Sequence, residues 1–145
     1  MNTDRMRYTF FVSTAITLAI VLMGCANPIK SARISLATVA RLQTEAVNTF
    51  KEYDANRQLD IVKTATSADA AKAALAAWRA ERKPVVQALQ GLYLVSVAAE
   101  KSIALAEQGV DRKISMASVV KEVFDAFDKV KTTLMALGIP HGGIQ

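Results

Sequence analysis

The feature that most constrains the fold is a stripe of apolar residues near the carboxyl end of the chain. Its members recur at alternating intervals of four and three residues: Met116, Val120, Val123, Phe127, Val130, Leu134 and Leu137. This spacing places them on one face of an α-helix that is predicted over residues 115–137. The opposite face is charged, since it carries Lys121, Glu122, Asp125, Asp128 and Lys129. Such a helix has to bury its apolar face against other elements.

Two longer segments upstream carry stripes of the same kind. Residues 31–66 present Ala32, Leu36, Val39, Leu42 or Gln43, Ala46, Phe50, Tyr53 and Ile61. Residues 68–108 present Ala71, Leu75, Trp78, Val85, Leu89, Leu92, Ala99, Ile103 and Ala106. Arg57 falls on the apolar face of the first segment, and we expect it to extend over the core edge or to pair with Asp54 or Asp60.

Helix start and stop signals separate the three segments. A hydroxyl from Thr66 or Ser67 is expected to cap the second helix, and Ser115 is expected to cap the third. Gly109 suits the C′ position that closes the second helix, because glycine enters the left-handed conformation freely. Gly138 ends the third helix.

The predicted fold is all-α, an antiparallel up-down three-helix bundle. Residues 31–138 form the bundle and residues 139–145 a flexible tail. Pro84 lies inside the second segment, where a proline removes one backbone hydrogen bond and clashes with the preceding turn. We therefore expect the second helix to be kinked or broken there, and a full break would produce a fourth helix.

The stretch from Pro84 to Ala99 contains no charged residue. A helix that is apolar nearly all round is usually buried on several sides, so this segment is predicted to be a central helix of the bundle. It is shorter than the roughly 20 apolar residues that span a bilayer. It also contains Gln87, Gln90 and Ser96. A buried helix is therefore favoured over a membrane segment.

The most basic short window of the chain surrounds its only tryptophan. Trp78, Arg79, Arg82 and Lys83 are a candidate interaction surface for an anionic partner such as lipid head groups, a cell-wall polymer or another protein. The alternative places Trp78 in the core and leaves the three cations to solvate the bend at Pro84. Because Trp78 falls on the apolar stripe, the second interpretation is favoured.

Residues suited to catalysis or metal binding are scarce. The chain has one histidine, His141, and one cysteine, Cys25. Glu122, Asp125 and Asp128 share a helix face, but a solvated face opposite the core stripe explains them. No glycine-rich loop opens a helix in the way a phosphate site requires. We therefore expect no catalytic residues, no metal, no cofactor and no enzymatic activity.

The amino terminus has the three-part layout of a secretory signal peptide. Arg5 and Arg7 precede an uncharged run from Phe10 to Gly24, and Cys25 follows directly. The run is shorter than the roughly 20 residues of a transmembrane helix. A cleaved leader is therefore favoured over an uncleaved membrane span.

The residues Leu22-Met23-Gly24-Cys25 resemble the lipobox of bacterial lipoproteins. Leu22, Gly24 and Cys25 match that pattern, whereas Met23 stands where a small residue is usual. The resemblance implies a signal peptide over residues 1–24, cleavage between Gly24 and Cys25, and acylation of the Cys25 thiol with fatty acids such as palmitate. Residues 25–30 would form the lipidated tether.

These features predict a membrane-anchored lipoprotein of the cell envelope with a structural or protein-interaction role. The expected partners are membrane lipid, through Cys25, and an envelope protein or cell-wall component; no nucleic-acid partner is expected. In a Gram-negative host, Ala26 after the cysteine implies the outer membrane, facing the periplasm. The alternative is a carrier or binding module for a lipid or another apolar ligand within the bundle.

Overall fold

The computed structural model describes residues 27–110 and 114–139. These residues form three α-helices and no strand: α1 (Pro28–Thr64), α2 (Ala68–Glu107) and α3 (Met116–Ala136). At 1.5 Å per residue α1 and α2 are about 55 and 60 Å long, and α3 about 32 Å. Each helix packs against the other two. The predicted all-α three-helix bundle is confirmed.

The first helix begins earlier than predicted. The side-chain oxygen Oδ1 of Asn27 accepts hydrogen bonds from the backbone N–H groups of Ile29 and Lys30, both at 3.1 Å. Pro28 occupies the first helical position, where its missing N–H costs nothing. The predicted tether over residues 25–30 is therefore wrong for Pro28, Ile29 and Lys30, which form the first turn of α1. Residues before Asn27 lie outside the described part of the chain.

The predicted caps between the helices are confirmed, although α1 ends at Thr64, two residues before the predicted Thr66. Ser67 caps α2, its hydroxyl accepting from the N–H of Ala70 at 3.1 Å. Ser115 caps α3 in the same way, accepting from the N–H of Ser118 at 3.3 Å. Gly109 closes α2 with φ +69°, in the left-handed region that glycine alone enters without strain.

The carboxyl end of α3 folds back onto the bundle. Gly138 has φ +72° and donates its N–H to the carbonyl of Met135 at 2.9 Å. The N–H of Ile139 bonds to the carbonyl of Leu134 at 3.1 Å. This is a Schellman motif, which turns the residue after the glycine towards the helix. Ile139 is consequently buried in the core, so the predicted tail over 139–145 is wrong for Ile139. Residues 140–145 lie outside the described chain.

Pro84 does not break the second helix. α2 continues from Ala68 to Glu107 with the proline inside it. Pro84 and Ala80 are both exposed. In an α-helix the carbonyl of Ala80 would accept a hydrogen bond from residue 84, but proline has no N–H. This carbonyl therefore lies on the solvent side, where water can replace the missing donor. The alternative of a fourth helix is wrong.

The bundle has two unequal regions. The hydroxyl of Tyr53 donates to the carbonyl of Leu137 at 3.3 Å, which marks the height at which α3 ends along α1. The part with three helices, here the three-helix section, holds a continuous core: Ala32, Leu36, Val39, Ala46, Phe50, Val85, Ala88, Leu92, Ala99, Ile103, Met116, Val123, Phe127, Val130, Leu134 and Ile139. Beyond it, residues 54–82 form a two-helix hairpin tip.

The uncharged segment of α2 is buried on one side only. Val85, Ala88 and Leu92 enter the core, but Tyr93 and Leu94 are 59% and 66% exposed. The prediction that this segment is surrounded on several sides is wrong. In a three-helix bundle each helix has two neighbours on its inner side, so its outer side faces solvent even where the residues are apolar.

Candidate functional site

The side chain of Trp78 is the centre of a polar and aromatic cluster in the hairpin tip. Its indole Nε1 donates a hydrogen bond of 2.7 Å to Oδ1 of Asp54 on α1. The ring of Tyr53 lies 6.0 Å from it, tilted by 53°. The guanidinium carbon of Arg57 lies 5.9 Å from the centre of the indole ring, within the range of a cation–π contact. Trp78 is 4% exposed as a result.

Asp54 connects Trp78 to a second residue of α2. Its other carboxylate oxygen, Oδ2, accepts a hydrogen bond from the guanidinium of Arg82. Trp78 and Arg82 are four residues apart, so they project from one face of α2 towards α1. Both oxygens of the half-buried carboxylate are therefore paired, which offsets the cost of removing its charge from water. Tyr53, Asp54, Arg57, Trp78 and Arg82 are referred to below as the tryptophan cluster.

The four residues predicted as one interaction surface lie on two sides of α2. Trp78 and Arg82 face α1 and are engaged in the tryptophan cluster. Arg79 and Lys83 point to solvent and are exposed. A surface made of all four is therefore wrong, and the interpretation that places Trp78 in the interior is the one that the structure supports. Arg57 pairs with neither Asp54 nor Asp60 and stacks on Trp78 instead.

The bond between Asp54 and Trp78 was not predicted, since the sequence suggested Asp54 only as a partner of Arg57, although the chain contained a signal for it. In an antiparallel helical hairpin, residues equally far from the turn lie at the same height. Asp54 and Trp78 are equidistant from Thr66, which lies in the turn between α1 and α2. Counting outward from the turn would have paired the carboxylate with the indole, and Arg82 follows one helical turn later.

Arg33 and Glu107 join the opposite end of the hairpin. Nε and Nη2 of Arg33 donate to Oε1 and Oε2 of Glu107, each at 2.5 Å, in a bidentate pair. This hydrogen bonding lowers the pKa of Glu107 and raises the pKa of Arg33. The pair places the beginning of α1 beside the end of α2.

A line of exposed residues along α2 forms the third feature. We call it the outer face of α2, and it consists of Arg79, Lys83, Gln90, Leu94, Val97 and Lys101. Their spacing in steps of three, four and seven residues keeps them on one side of the helix. Tyr93, also exposed, lies at its edge. The outer face of α2 therefore has cations at both ends, and Gln90 and apolar residues lie between them.

The space between the helices differs along the bundle. At the hairpin tip an open groove of about 580 Å³ is lined by Arg57, Asp60, Ile61 and Thr64 of α1 with Ala70 and Ala74 of α2. In the three-helix section, the crevice beside Leu36, Ile103 and Val123 has no room for a water molecule. That crevice does not supply the internal cavity that an apolar-ligand carrier requires.

The described residues offer no metal centre and no membrane-spanning helix. Within residues 27–110 and 114–139, no three His, Cys, Asp or Glu side chains are grouped as a metal site requires. On the acidic face of α3, Asp125 accepts a hydrogen bond of 2.5 Å from Nζ of Lys121, which raises the pKa of that lysine. None of the described helices is apolar over a length sufficient to cross a bilayer. Gly24, Cys25 and His141 lie outside the described residues.

Comparison with known proteins finds no match to a protein-family model, a curated protein or a solved structure. The class of protein is therefore defined by the geometry of the chain itself. It is an all-α protein with a short third helix that covers part of a long hairpin.

Proposed function

We infer that the chain is a lipoprotein of the bacterial cell envelope, anchored through an acylated Cys25, whose helical bundle acts by binding rather than by catalysis. The observation that carries this proposal is the position of the only cysteine. It directly follows the uncharged run from Phe10 to Gly24, which itself follows the cations Arg5 and Arg7. A lone cysteine at a signal-peptide cleavage site is the residue that lipoprotein processing modifies.

The fold is compatible with an anchor at this point. The cap of α1 is Asn27, so only Ala26 lies between Cys25 and the capping residue. An acyl anchor on Cys25 would hold the amino-terminal end of α1 close to the membrane surface. The Arg33–Glu107 pair would bring the end of α2 to the same place.

A binding role is supported by the distribution of polar groups. Both oxygens of the Asp54 carboxylate are occupied by Trp78 and Arg82, so this carboxylate stabilises the hairpin tip. The outer face of α2, by contrast, exposes both cations and large apolar residues. Exposed apolar groups bordered by charge are typical of surfaces that contact a partner.

The anchor is tested by producing the full chain in a Gram-negative host and measuring the mass of the isolated protein. We expect a product that begins at Cys25 and carries acyl chains, recovered with the membrane fraction. Cys25→Ser should abolish the acylation, which the mass reports directly. The matched control is Met23→Ala, which brings the cleavage region closer to the lipobox pattern and should leave the product acylated.

A product that begins at Met1 with an unmodified thiol would refute the proposal. The binding role is examined in the same cells by chemical crosslinking, with Cys25→Ser as the unanchored form. Specific capture of an envelope protein or a membrane lipid supports it. Co-purification of an apolar molecule held inside the bundle would support the carrier alternative in its place.

A further inference from the structure

The outer face of α2 carries charge of one sign only. Its charged members are Arg79, Lys83 and Lys101, and no ion pair within the described residues engages any of the three. Of the acids near the Lys101 end of α2, Glu107 is bonded to Arg33 on α1 and not to a residue of the outer face. The face is therefore a basic strip, about 33 Å long from Arg79 to Lys101 at 1.5 Å per residue.

The outer sides of the other two helices are different. On α1, Arg41 pairs with Glu45 at 3.2 Å. On α3, Lys121 pairs with Asp125 at 2.5 Å. Both sides mix the two signs, as expected of surfaces that only face solvent. Among the three described helices, α2 is thus the one whose outer side carries charge of a single sign.

Between Gln90 and Lys101 the same strip is apolar. Tyr93, Leu94 and Val97 are 59%, 66% and 45% exposed, although aliphatic side chains gain free energy on leaving water. Tyrosine has an apolar ring and a polar hydroxyl, a combination that suits the boundary between water and hydrocarbon. Apolar residues between lysines and arginines are the composition of helices that lie in the membrane interface.

The shape and charge of the strip select among possible occupants. A second copy of the chain, paired through this face, would bring cations against cations at both ends. The side chains project from the outside of one helix, so the strip is a ridge and not a groove for a partner helix. A flat anionic surface accepts a basic ridge with an apolar centre.

We propose that the outer face of α2 lies on an anionic phospholipid surface, with Leu94 and Val97 entering the interface and Arg79, Lys83 and Lys101 meeting lipid phosphates. The orientation in the cell rests on the function proposed above, because the Arg33–Glu107 pair holds the Lys101 end of α2 beside the anchored start of α1. The lipid contact itself does not require the acyl chain.

The test uses a chain of residues 25–145 with Cys25→Ser, which has no acyl anchor. The described core lies within residues 32–139, so this chain retains it, and circular dichroism verifies its helices. Binding is measured to vesicles of mixed phosphatidylglycerol and phosphatidylcholine, and to vesicles of phosphatidylcholine alone. We expect binding to the first only, weakened by salt.

Charge variants locate the contact. Each cation near an anionic surface changes the partition constant about fivefold. The triple variant Arg79→Gln/Lys83→Gln/Lys101→Gln should therefore bind about 100-fold more weakly. A matched triple, Lys51→Gln/Lys63→Gln/Lys129→Gln, removes the same charge from exposed positions on α1 and α3. It should lose less than about fivefold. Equal losses in the two triples would overturn the proposal.

Fluorescent labels locate the apolar part independently of charge. The Cys25→Ser chain has no other cysteine, so Leu94→Cys and Leu59→Cys can each carry one environment-sensitive dye. Leu59 is also an exposed apolar residue, at 51%, but lies on α1. A blue shift on the anionic vesicles is expected from the label at position 94 only.

Two results would refute the proposal: absence of binding to the anionic vesicles, or equal shifts from both labels. Crosslinking of an acidic protein through position 94, without vesicle binding, would assign the face to that protein instead. The acylation of Cys25 is measured separately by mass. Failure of the lipid contact and failure of the anchor are therefore distinguishable.

Discussion

The three-helix section and the hairpin tip pack their helices together through different kinds of contact. In the three-helix section every helix has two neighbours, and apolar side chains fill the space between them, with Ser96 as a buried polar residue. Val39, Leu92 and Val130 are fully buried there. In the hairpin tip each helix has only one neighbour, and Trp78 is the sole buried residue within 54–82. Two helices leave too much of their surface in water to build an apolar core.

The hairpin tip compensates with polar contacts whose geometry is specific. A large aromatic ring covers more surface than an alkyl side chain, and the indole N–H of Trp78 gives the half-buried carboxylate of Asp54 a donor. Arg82 satisfies the second oxygen of that carboxylate. In the hairpin tip, one tryptophan and its bonded charges thus provide the contacts between α1 and α2 that a third helix provides elsewhere. Such a region should open more easily than the section with a continuous core.

The largest effect is expected from Leu92→Ala. Leu92 is fully buried at the centre of the three-helix section. Truncation of a buried leucine removes transfer free energy and leaves a cavity, so the free energy of unfolding should fall by about 3 kcal/mol. Urea denaturation followed by circular dichroism measures the change.

The matched control for this variant is Leu94→Ala. Leu94 is two residues further along the same helix and 66% exposed. Its truncation should change the free energy of unfolding by less than about 0.5 kcal/mol. Similar losses in the two variants would mean that α2 has no distinct buried side, and the contrast between the two regions would lose its basis.

A smaller and local effect is expected from Trp78→Phe. Phenylalanine keeps an aromatic ring but leaves Asp54 without the Nε1 donor, and a hydrogen bond to a charged group is worth about 2 kcal/mol. Amide hydrogen exchange should show weaker protection in the hairpin tip. The amides of Val39 and Val130 should keep theirs.

Arg79→Gln is the control, since Arg79 adjoins Trp78 in sequence but is exposed. Its exchange pattern should match that of the original protein. Uniform loss of protection over both regions in Trp78→Phe would show that the bundle opens as one unit. The hairpin tip would then not be the weaker region.

Much of the fold could be predicted from local chemistry. The caps Ser67 and Ser115 and the closing Gly109 follow from hydrogen bonding and backbone sterics within a few residues, and all three are confirmed. The apolar stripe of α3 predicted the buried face correctly, because its pattern separates charged and apolar residues cleanly. At Pro84 a kink or a break was expected; the break was wrong, because the carbonyl of Ala80 that the proline leaves unpaired lies on the solvent side.

The candidate sites depended on information that periodicity does not carry. A hydrophobic stripe specifies one side of a helix but not how many neighbours the helix has. Leu75, a member of the predicted stripe, is therefore only partly buried, and Leu94, in the segment predicted to be buried on several sides, is exposed. Trp78 was correctly favoured as an internal residue, whereas its carboxylate partner Asp54 is remote in sequence. Acylation of Cys25 remains a prediction, because that residue lies outside the described chain.

The smallest effect concerns the ion pair at the end opposite the hairpin tip. Arg33 and Glu107 are exposed, and salt screens such pairs. The bond to Arg33 holds the pKa of Glu107 below its ordinary value of 4.5. A carboxyl group with a lowered native pKa stabilises the fold above its unfolded pKa, and this contribution disappears as the pH falls through the native pKa. Glu107→Gln should therefore be slightly less stable than the original protein above pH 4.5, with the difference vanishing in more acidic solution.

A double-mutant cycle separates this pair from the background acid sensitivity of the protein. Arg33→Gln should produce the same small loss of stability, and the double variant should lose no more than either single variant. Thermal unfolding at a series of pH values, in low and high salt, measures all four proteins. An acid-independent difference, or strict additivity of the two changes, would show that the bidentate pair contributes nothing. In that case the end of the hairpin opposite the tip would depend on its neighbours in the core, whereas the tip would still be stabilised by the tryptophan cluster.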